Sequence, residues 1–302
     1  MPSHTDRPAY IGRFAPSPSG PLHFGSLVCA LASYLDARIH NGQWQVRIED
    51  IDPPREIPGA SDAILCTLER HNLTWDGPVI WQSLRHRHYE DLLAHLQQQG
   101  HTYPCSCSRK RLESLGHRYD GHCRNHTPSQ PAALRLKVEV NPQVQFIDRH
   151  LGLQQEDLSQ QGDFIIHRKD GLFAYALAVV ADDWQQGITH VVRGSDLLEA
   201  TGKQIYLFNL LGAPAPRYAH IPVITNAQGL KLSKQNHAPA LDETTSNQNI
   251  WRALWALGAQ PPAQLQHANT TEVLAWGLEH WRLACLPAGA SLAEADVPGI
   301  PI

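Results

Sequence analysis

Arg13-Phe14-Ala15-Pro16-Ser17-Pro18-Ser19-Gly20-Pro21-Leu22-His23-Phe24-Gly25-Ser26 is the stretch whose reading decides the fold. Its three prolines and Gly20 can continue neither a strand nor a helix. Before it, Ala9 to Phe14 is a short, mostly apolar run that suits a buried strand. After it, Leu27, Leu31, Tyr34 and Leu35 share one face of a helix running to Ile39. The stretch is therefore a stiff loop entering a helix N-terminus that carries His23, Gly25 and Ser26. Unpaired N–H groups and the positive end of the helix macrodipole suit that terminus to phosphate. Gly25 lets a ligand approach the backbone, and His23 can donate to phosphate oxygens. Taken alone, the same pattern also fits an ordinary strand-to-helix connection with a surface histidine.

Working outward, Gly42 ends the helix and Gln45 to Glu49 reads as a second strand. The helix between them suits a right-handed crossover joining parallel strands. The second strand runs into Arg47-Ile48-Glu49-Asp50-Ile51-Asp52, dense in charge where open α/β sheets place ligands. Helices are expected over Ser61 to His71, with Ser61 as N-cap, and over Arg87 to Gln99, stopped by Gly100. Ala133 to Val140 alternates Leu134, Leu136, Val138 and Val140 as a half-buried strand. Phe164 to His167 and Leu172 to Val180 are apolar runs, the second holding Tyr175. Ile188 to Val192 reads as a strand running out at Arg193, Leu197 to Leu211 as a helix, and Ile221 to Ile224 as a strand. Asn226 to Gly229 is a turn. From Asn247 the pattern is helical, with Trp251, Trp255, Trp276 and Trp281 as packing residues. The Ala-, Pro- and Gly-rich tail from Pro287 is expected to be loosely ordered.

At 302 residues the chain can bury a full core. The N-terminus shows no signal-peptide pattern and no apolar run approaches a membrane span, so a cytoplasmic protein with no membrane partner is expected. A net charge of −4 does not advertise nucleic-acid binding, but local patches decide affinity. Six cysteines without a secretion signal argue against a disulfide scaffold. Cys29, Cys66 and Cys285 sit singly in apolar surroundings and are expected to be buried and inert. There is no Gly-x-x-x-x-Gly-Lys-Ser/Thr loop and no Gly-x-Gly-x-x-Gly fingerprint.

Phosphate handling therefore rests on His23-Phe24-Gly25-Ser26 and a second short motif, Lys231-Leu232-Ser233-Lys234-Gln235. In this order, and on these elements, the two resemble the HIGH and KMSKS signatures of class I aminoacyl-tRNA synthetases. The resemblance implies an α/β fold, a Rossmann-type parallel-sheet catalytic domain, that forms an aminoacyl-adenylate. Such chemistry needs positioning and positive charge around the α-phosphate rather than a side-chain nucleophile. Carried over by motif position, His23 and Lys234 stabilise ATP phosphates, Lys231 supports them, and Gly25 and Ser26 complete the ATP site. Mg²⁺ is expected to accompany ATP.

Arg13 to Gly20 and Arg47 to Asp52 further resemble the glutamyl-tRNA synthetases. A glutamate site must hold one ammonium and two carboxylates, which suits a fixed acid and arginine forks. By resemblance, Arg13, Phe14, Ala15, Pro16, Ser17, Glu49, Tyr175 and Arg193 form this site. Glu49 would face the ammonium and the two arginines the carboxylates. Arg13 and Arg193 could equally be ion-pair partners, and Tyr175 could be core. The resemblance covers roughly Tyr10 to Leu257, and roughly seventy residues follow Lys234, too few for the helical anticodon-binding region of a glutamyl-tRNA synthetase.

The whole pattern resembles the glutamyl-Q tRNA(Asp) synthetases. That family activates L-glutamate without tRNA and transfers it to queuosine at the wobble position of tRNA(Asp). The resemblance implies no obligate protein partner. Cys105, Cys107, Tyr119 and Cys123 resemble its structural Zn²⁺ site, one per chain. On chemical grounds alone, His101, His117 and His122 are alternatives to Tyr119. Around them Arg109, Lys110, Arg111, Arg118 and Arg124 outnumber Glu113 and Asp120, a patch that suits either tRNA phosphates or solvent. The expected layout is residues 1–104 as the first half of the catalytic domain and 105–127 as a zinc-binding insertion. Residues 128–245 form the remainder with the Lys-Leu-Ser-Lys-Gln loop, and 246–302 a helical C-terminal region. Three other readings compete: a truncated synthetase charging a tRNA 3′ end, a non-catalytic RNA-binding paralogue, and a small-molecule nucleotidyltransferase.

Overall fold

The structure, a computed structural model, describes residues 10–116, 118–126, 128, 131–139, 142–233, 236 and 238–299. Its first third alternates β1 (Ile11–Phe14), α1 (Phe24–Ile39), β2 (Gln43–Ile48), α2 (Ala60–Arg70), β3 (Ile80–Trp81) and α3 (His86–Gln98). An antiparallel region follows: β4 (Thr102–Cys105), α4 (Arg109–Ser114), β5 (Ala133–Leu136), β6 (Gln143–Asp148), β7 (Gly152–Asp157) and β8 (Phe164–His167). The α/β alternation resumes with α5 (Tyr175–Gln186), β9 (His190–Gly194), α6 (Leu198–Leu210), β10 (Arg217–Ile221) and β11 (Val223–Thr225). The chain closes with α7 (Ser246–Ala256), α8 (Thr270–His280) and β12 (Ser291–Ala293).

β1, β2 and β3 pair in parallel, and so do β9 and β10. Thr189 joins the two groups: its N–H donates to the Ile11 carbonyl at 2.9 Å, and its Oγ1 accepts from Ile11 N–H at 2.8 Å. The strands thus run β3-β2-β1-β9-β10, the order expected of a right-handed, doubly wound sheet. The antiparallel β4-β5-β8 sheet and the β6-β7 hairpin are inserted between α3 and α5.

Side-chain alternation gives the parallel sheet two different faces. Phe14, Trp44, Val46, Val192 and Ala219 face a core shared with α1, α7 and α8. Ile11, Val191 and Tyr218 face a second core shared with α5 and α6. The second face also carries Arg13, Arg47 and Arg193, all buried. Such charges are tolerated only when paired or kept for a ligand.

Five sequence expectations need correction. Ser61 lies inside α2; Gly59, at φ +77°, is its N-cap, a conformation that glycine adopts without steric cost. The Leu134–Val138 alternation breaks because β5 shifts register between Leu134 and Arg135, so Arg135 is buried instead; Val140 lies outside the described residues. From 287 to 299 the tail is not loose. Pro222 splits the expected Ile221–Ile224 strand in two, and β12 pairs in parallel with the second piece, β11, while Val297 is buried in the first core. Cys29, Cys66 and Cys285 are half-buried rather than buried; Cys29 and Cys285 lie at the rim of the first core.

Candidate active site

The proline-rich loop after β1 is fixed by its neighbours. Pro16 and Pro18 cannot donate, but their carbonyls accept from Glu49 N–H and Ile57 N–H, each at 3.0 Å. The loop is thereby tied to the C-terminal end of β2. His23 then caps α1: its Nδ1 accepts from Ser26 N–H at 3.3 Å, and its Nε2 lies 3.0 Å from Ser26 Oγ. An accepting Nδ1 puts the neutral ring's proton on Nε2. A Cβ at Gly25 would sit 3.3 Å from the His23 ring and 3.7 Å from the Leu232 carbonyl, so glycine keeps this corner open.

The second motif comes back to the same corner. Leu232 N–H donates to the Ile224 carbonyl at 2.7 Å, which closes the Asn226–Gly229 turn into a hairpin. Beyond the motif, Ala240 bridges His23, and Leu241 N–H donates to the Leu22 carbonyl at 3.1 Å. The two motifs thus flank one cleft of about 460 Å³ whose lining includes His23, Gly25, Ser26, Lys231 and Leu232. Lys231 Nζ pairs with Asp196 Oδ2 at 2.5 Å on the exposed rim. Lys234 lies outside the described residues.

Arg13, Phe14, Ala15, Pro16, Ser17, Tyr175 and Arg193 line the same cleft. A second cavity of about 860 Å³ shares Ser17 and Tyr175 with it and adds Glu49. Tyr175 is half-buried at the first turn of α5, so it is wall rather than core. All eight residues expected at a glutamate site therefore border two adjoining cavities.

Their electrostatics differ. Arg13 forks onto Asp183 through Nε (3.2 Å) and Nη2 (3.4 Å), and Arg47 Nη2 meets Asp183 at 2.8 Å. Burial works against the Asp183 charge, but these two arginines hold its carboxyl below the usual range. Glu49 stands 3.5 Å from Arg47 Nη2, yet its Oε1 is buried without a hydrogen-bond partner. Burial raises the Glu49 carboxyl to about 7 despite Arg47 and Arg13. Among the described residues Arg193 is bound only by neutral groups: His220, Thr201, Gln204 and the Leu197 carbonyl. Its Nη1 is buried and unpartnered. One orphaned acceptor and one orphaned cationic donor, each costing about 1–3 kcal/mol unfilled, ask for a ligand with an ammonium and a carboxylate.

The cysteine cluster is separate. Cys105, Cys107 and Cys123 bring their sulfurs within 4.8 Å of one another, all buried. Tyr119 Oη lies 3.5 Å from Cys105 Sγ and 3.7 Å from Cys107 Sγ, and Cys107 and Cys123 sulfurs are 3.5 Å apart. These are close to the edges of a tetrahedron with Zn–S near 2.3 Å and Zn–O near 2.0 Å, so the four residues fit a zinc ion. Burial opposes ionisation of Cys105, but Tyr119 and Arg135 bring its thiol down to about 7. Among the described residues neither His101 nor His122 joins the cluster; His117 lies outside them. In the adjoining patch Arg111 pairs with Asp120 and Arg124 with Asp163, leaving Arg109, Lys110 and Arg118 exposed.

Residues 11–258 match the family model described as tRNA synthetases class I (E and Q), catalytic domain. A glutamyl-Q tRNA(Asp) synthetase of Ectopseudomonas mendocina is 53% identical, the match covering 96% of this chain and 99% of that one. One of Escherichia coli K12 is 52% identical, covering 93% and 92%. The chain belongs to the glutamyl-Q tRNA(Asp) synthetases. It is a ligase of the class I synthetase type. Among solved structures, a glutamate tRNA ligase of Elizabethkingia meningosepticum in complex with its amino acid superposes with a TM-score of 0.79 at 23% identity. That match covers 95% of this chain and 68% of the other, and it shows the shared fold.

Several residues that organise this synthetase's cleft were not legible beforehand. Asp182 and Asp183 are adjacent acids in the otherwise apolar run of α5, a signal that could have marked them. Asp182 accepts from Gln82, Arg85 and Tyr89, tying α3 to α5. His220 and Asp148 come from strands far apart in sequence, and no local pattern announces their pairing.

Proposed function

We propose that the cleft activates L-glutamate with ATP, without tRNA, and passes the glutamyl group to queuosine at the wobble position of tRNA(Asp). The observation that carries this reading is the pair of orphaned atoms, Glu49 Oε1 and Arg193 Nη1, beside a helix N-terminus capped by His23. Glu49 takes the ammonium, Arg193 a carboxylate, and Ser17 and Tyr175 frame the side chain. Arg13, already paired with Asp183, lines the cleft beside the second carboxylate.

In the first step a glutamate carboxylate oxygen attacks the α-phosphorus of ATP and the bond to the β-phosphate bridging oxygen breaks. His23 Nε2–H, Ser26 and the α1 N-terminus face the phosphates from one side and Lys231 from the other; by motif position Lys234 would act with Lys231. Mg²⁺ would neutralise the departing pyrophosphate. In the second step a queuosine hydroxyl attacks the glutamyl carbonyl carbon, its proton is lost and AMP leaves, forming an ester. The names of the relatives support this acceptor, and the cavity bearing Glu49 offers it room.

Cys105, Cys107, Tyr119 and Cys123 hold a structural Zn²⁺ that pins a segment with almost no core of its own. The exposed Arg109, Lys110 and Arg118 contact tRNA phosphates, and the enzyme works in the cytoplasm. Among the described residues no helix is long and apolar enough to cross a membrane.

The reading is tested with ATP and labelled glutamate. Label should pass to tRNA(Asp) carrying queuosine and not to the unmodified tRNA. Equal labelling of unmodified tRNA(Glu) would mean a 3′-end acceptor instead.

A further inference from the structure

Arg193 is held by a relay of buried groups that ends on a carboxylate it does not touch. Its Nε–H donates to His220 Nε2 at 3.2 Å. His220 Nδ1 lies 2.7 Å from Asp148 Oδ2, with both side chains wholly buried. A guanidinium has no lone pair to offer, so Nε2 must be the acceptor and the ring proton must sit on Nδ1, toward Asp148. Asp148 is itself fixed by the backbone N–H groups of His150, Leu151 and His220, at 3.0, 2.8 and 3.1 Å. Burial holds His220 below its ordinary pKa even though Asp148 pulls the other way, so the ring is neutral. On the far side of the guanidinium, Nη2 donates to Thr201 Oγ1 at 2.7 Å and to Gln204 Oε1 at 2.8 Å. Two of the three guanidinium nitrogens are thus bonded, Nη2 by α6 and Nε by His220 of β10, which β6 holds in turn through Asp148.

We propose that Asp148 and His220 are positioning residues for glutamate recognition: they fix one imidazole tautomer, which fixes the plane of Arg193 and leaves its Nη1 for the substrate carboxylate. This rests on the functional reading given above. The relay explains an otherwise costly arrangement. A carboxylate placed directly on Arg193 would orient it but also neutralise it, as Asp183 does for Arg13. A neutral imidazole between the two transmits orientation while keeping the negative charge out of contact. The substrate carboxylate then becomes the first full counter-ion that Arg193 meets. Fixing the fork in advance also removes the entropy of ordering a long side chain on binding.

The test is Asp148→Asn, whose amide can donate to His220 Nδ1 and so drive the ring proton to Nε2, against the Arg193 N–H. In glutamate-dependent ATP–pyrophosphate exchange, the expected result is a KM for glutamate raised roughly 10–100-fold, with the KM for ATP nearly unchanged. His220→Gln, which keeps a side-chain acceptor for Arg193, should lose less than His220→Leu. In parallel, ¹⁵N NMR of histidine in the unsubstituted protein should show the His220 proton on Nδ1, a readout that does not depend on how well the variants fold. A His220 proton on Nε2, or Asp148→Asn with an unchanged glutamate KM in an otherwise active enzyme, would overturn the inference alone. Absence of any glutamate-dependent exchange in the unsubstituted protein would overturn the functional reading and the inference with it.

Discussion

Arg13 and Arg193 stand near the C-terminal ends of adjacent strands, on the same face of the sheet, and both are about 95% buried. Their surroundings are opposite. The β1 end is charge-compensated: Arg13, Arg47, Asp182 and Asp183 balance one another across α5, although Arg47 Nε and Nη2 make ion pairs rather than hydrogen bonds. The β9 end is left open: Arg193 meets hydroxyl, amide, carbonyl and neutral imidazole, and one nitrogen has no hydrogen-bond partner among the described residues. A closed network of buried charges holds the fold, whereas a buried charge without a counter-ion stores the capacity to bind one. The first region should therefore fail in stability when broken, and the second in affinity.

Asp183→Asn is the strongest way to break the closed end. It leaves Arg13 and Arg47 buried with too little negative charge, and unfolding should become easier by about 3–5 kcal/mol. Chemical denaturation measures this; a loss below about 1 kcal/mol would mean the network is not structural. At the open end, Arg193→Lys keeps the charge but loses the fork. The glutamate KM should rise about 100-fold, roughly 2.7 kcal/mol, while the denaturation midpoint moves little. Steady-state exchange and denaturation on the same preparation separate the two effects.

How much of this was legible in the sequence follows the same divide. The loop from Arg13 to Ser26 and the acid after β2 were readable because strand, loop and helix follow one another locally, and both motif-bearing segments met at one cleft. Glu49, Tyr175 and Arg193 were found as positions, but their partners were not. Asp183 pairs with Arg13 across 170 residues and His220 with Asp148 across 72, so no periodicity could join them. Composition misled at the tail, where Pro and Gly suggested looseness. A parallel partner strand, β11, decided otherwise, because backbone pairing needs little from the side chains.

Glutamate affinity should also depend on pH through Glu49, which follows β2 beside the closed network. Its carboxyl titrates near 7, and only the anion can accept the ammonium. Below pH 7 a proton must leave before glutamate binds, so affinity should fall toward about tenfold per pH unit; above pH 7 this dependence should vanish. Calorimetric titration between pH 5.5 and 8.5 checks the sign, and Glu49→Gln should flatten the profile while weakening binding throughout. The smallest effect is expected at Tyr218, whose hydroxyl is buried without a partner and whose ring lies 5.3 Å from the Arg193 guanidinium carbon. Tyr218→Phe removes an unsatisfied group, so the melting temperature should hold or rise, by no more than about 1 kcal/mol in stability. A clear loss would show that the hydroxyl has a partner, such as an ordered water.

The central claim is that these two ends together receive L-glutamate and present it to ATP without help from RNA. Pyrophosphate exchange with purified, RNA-free protein tests it directly. L-Glutamate should support exchange, and L-glutamine and L-aspartate should not. Exchange that requires added tRNA, or that runs equally well with glutamine, would contradict the account.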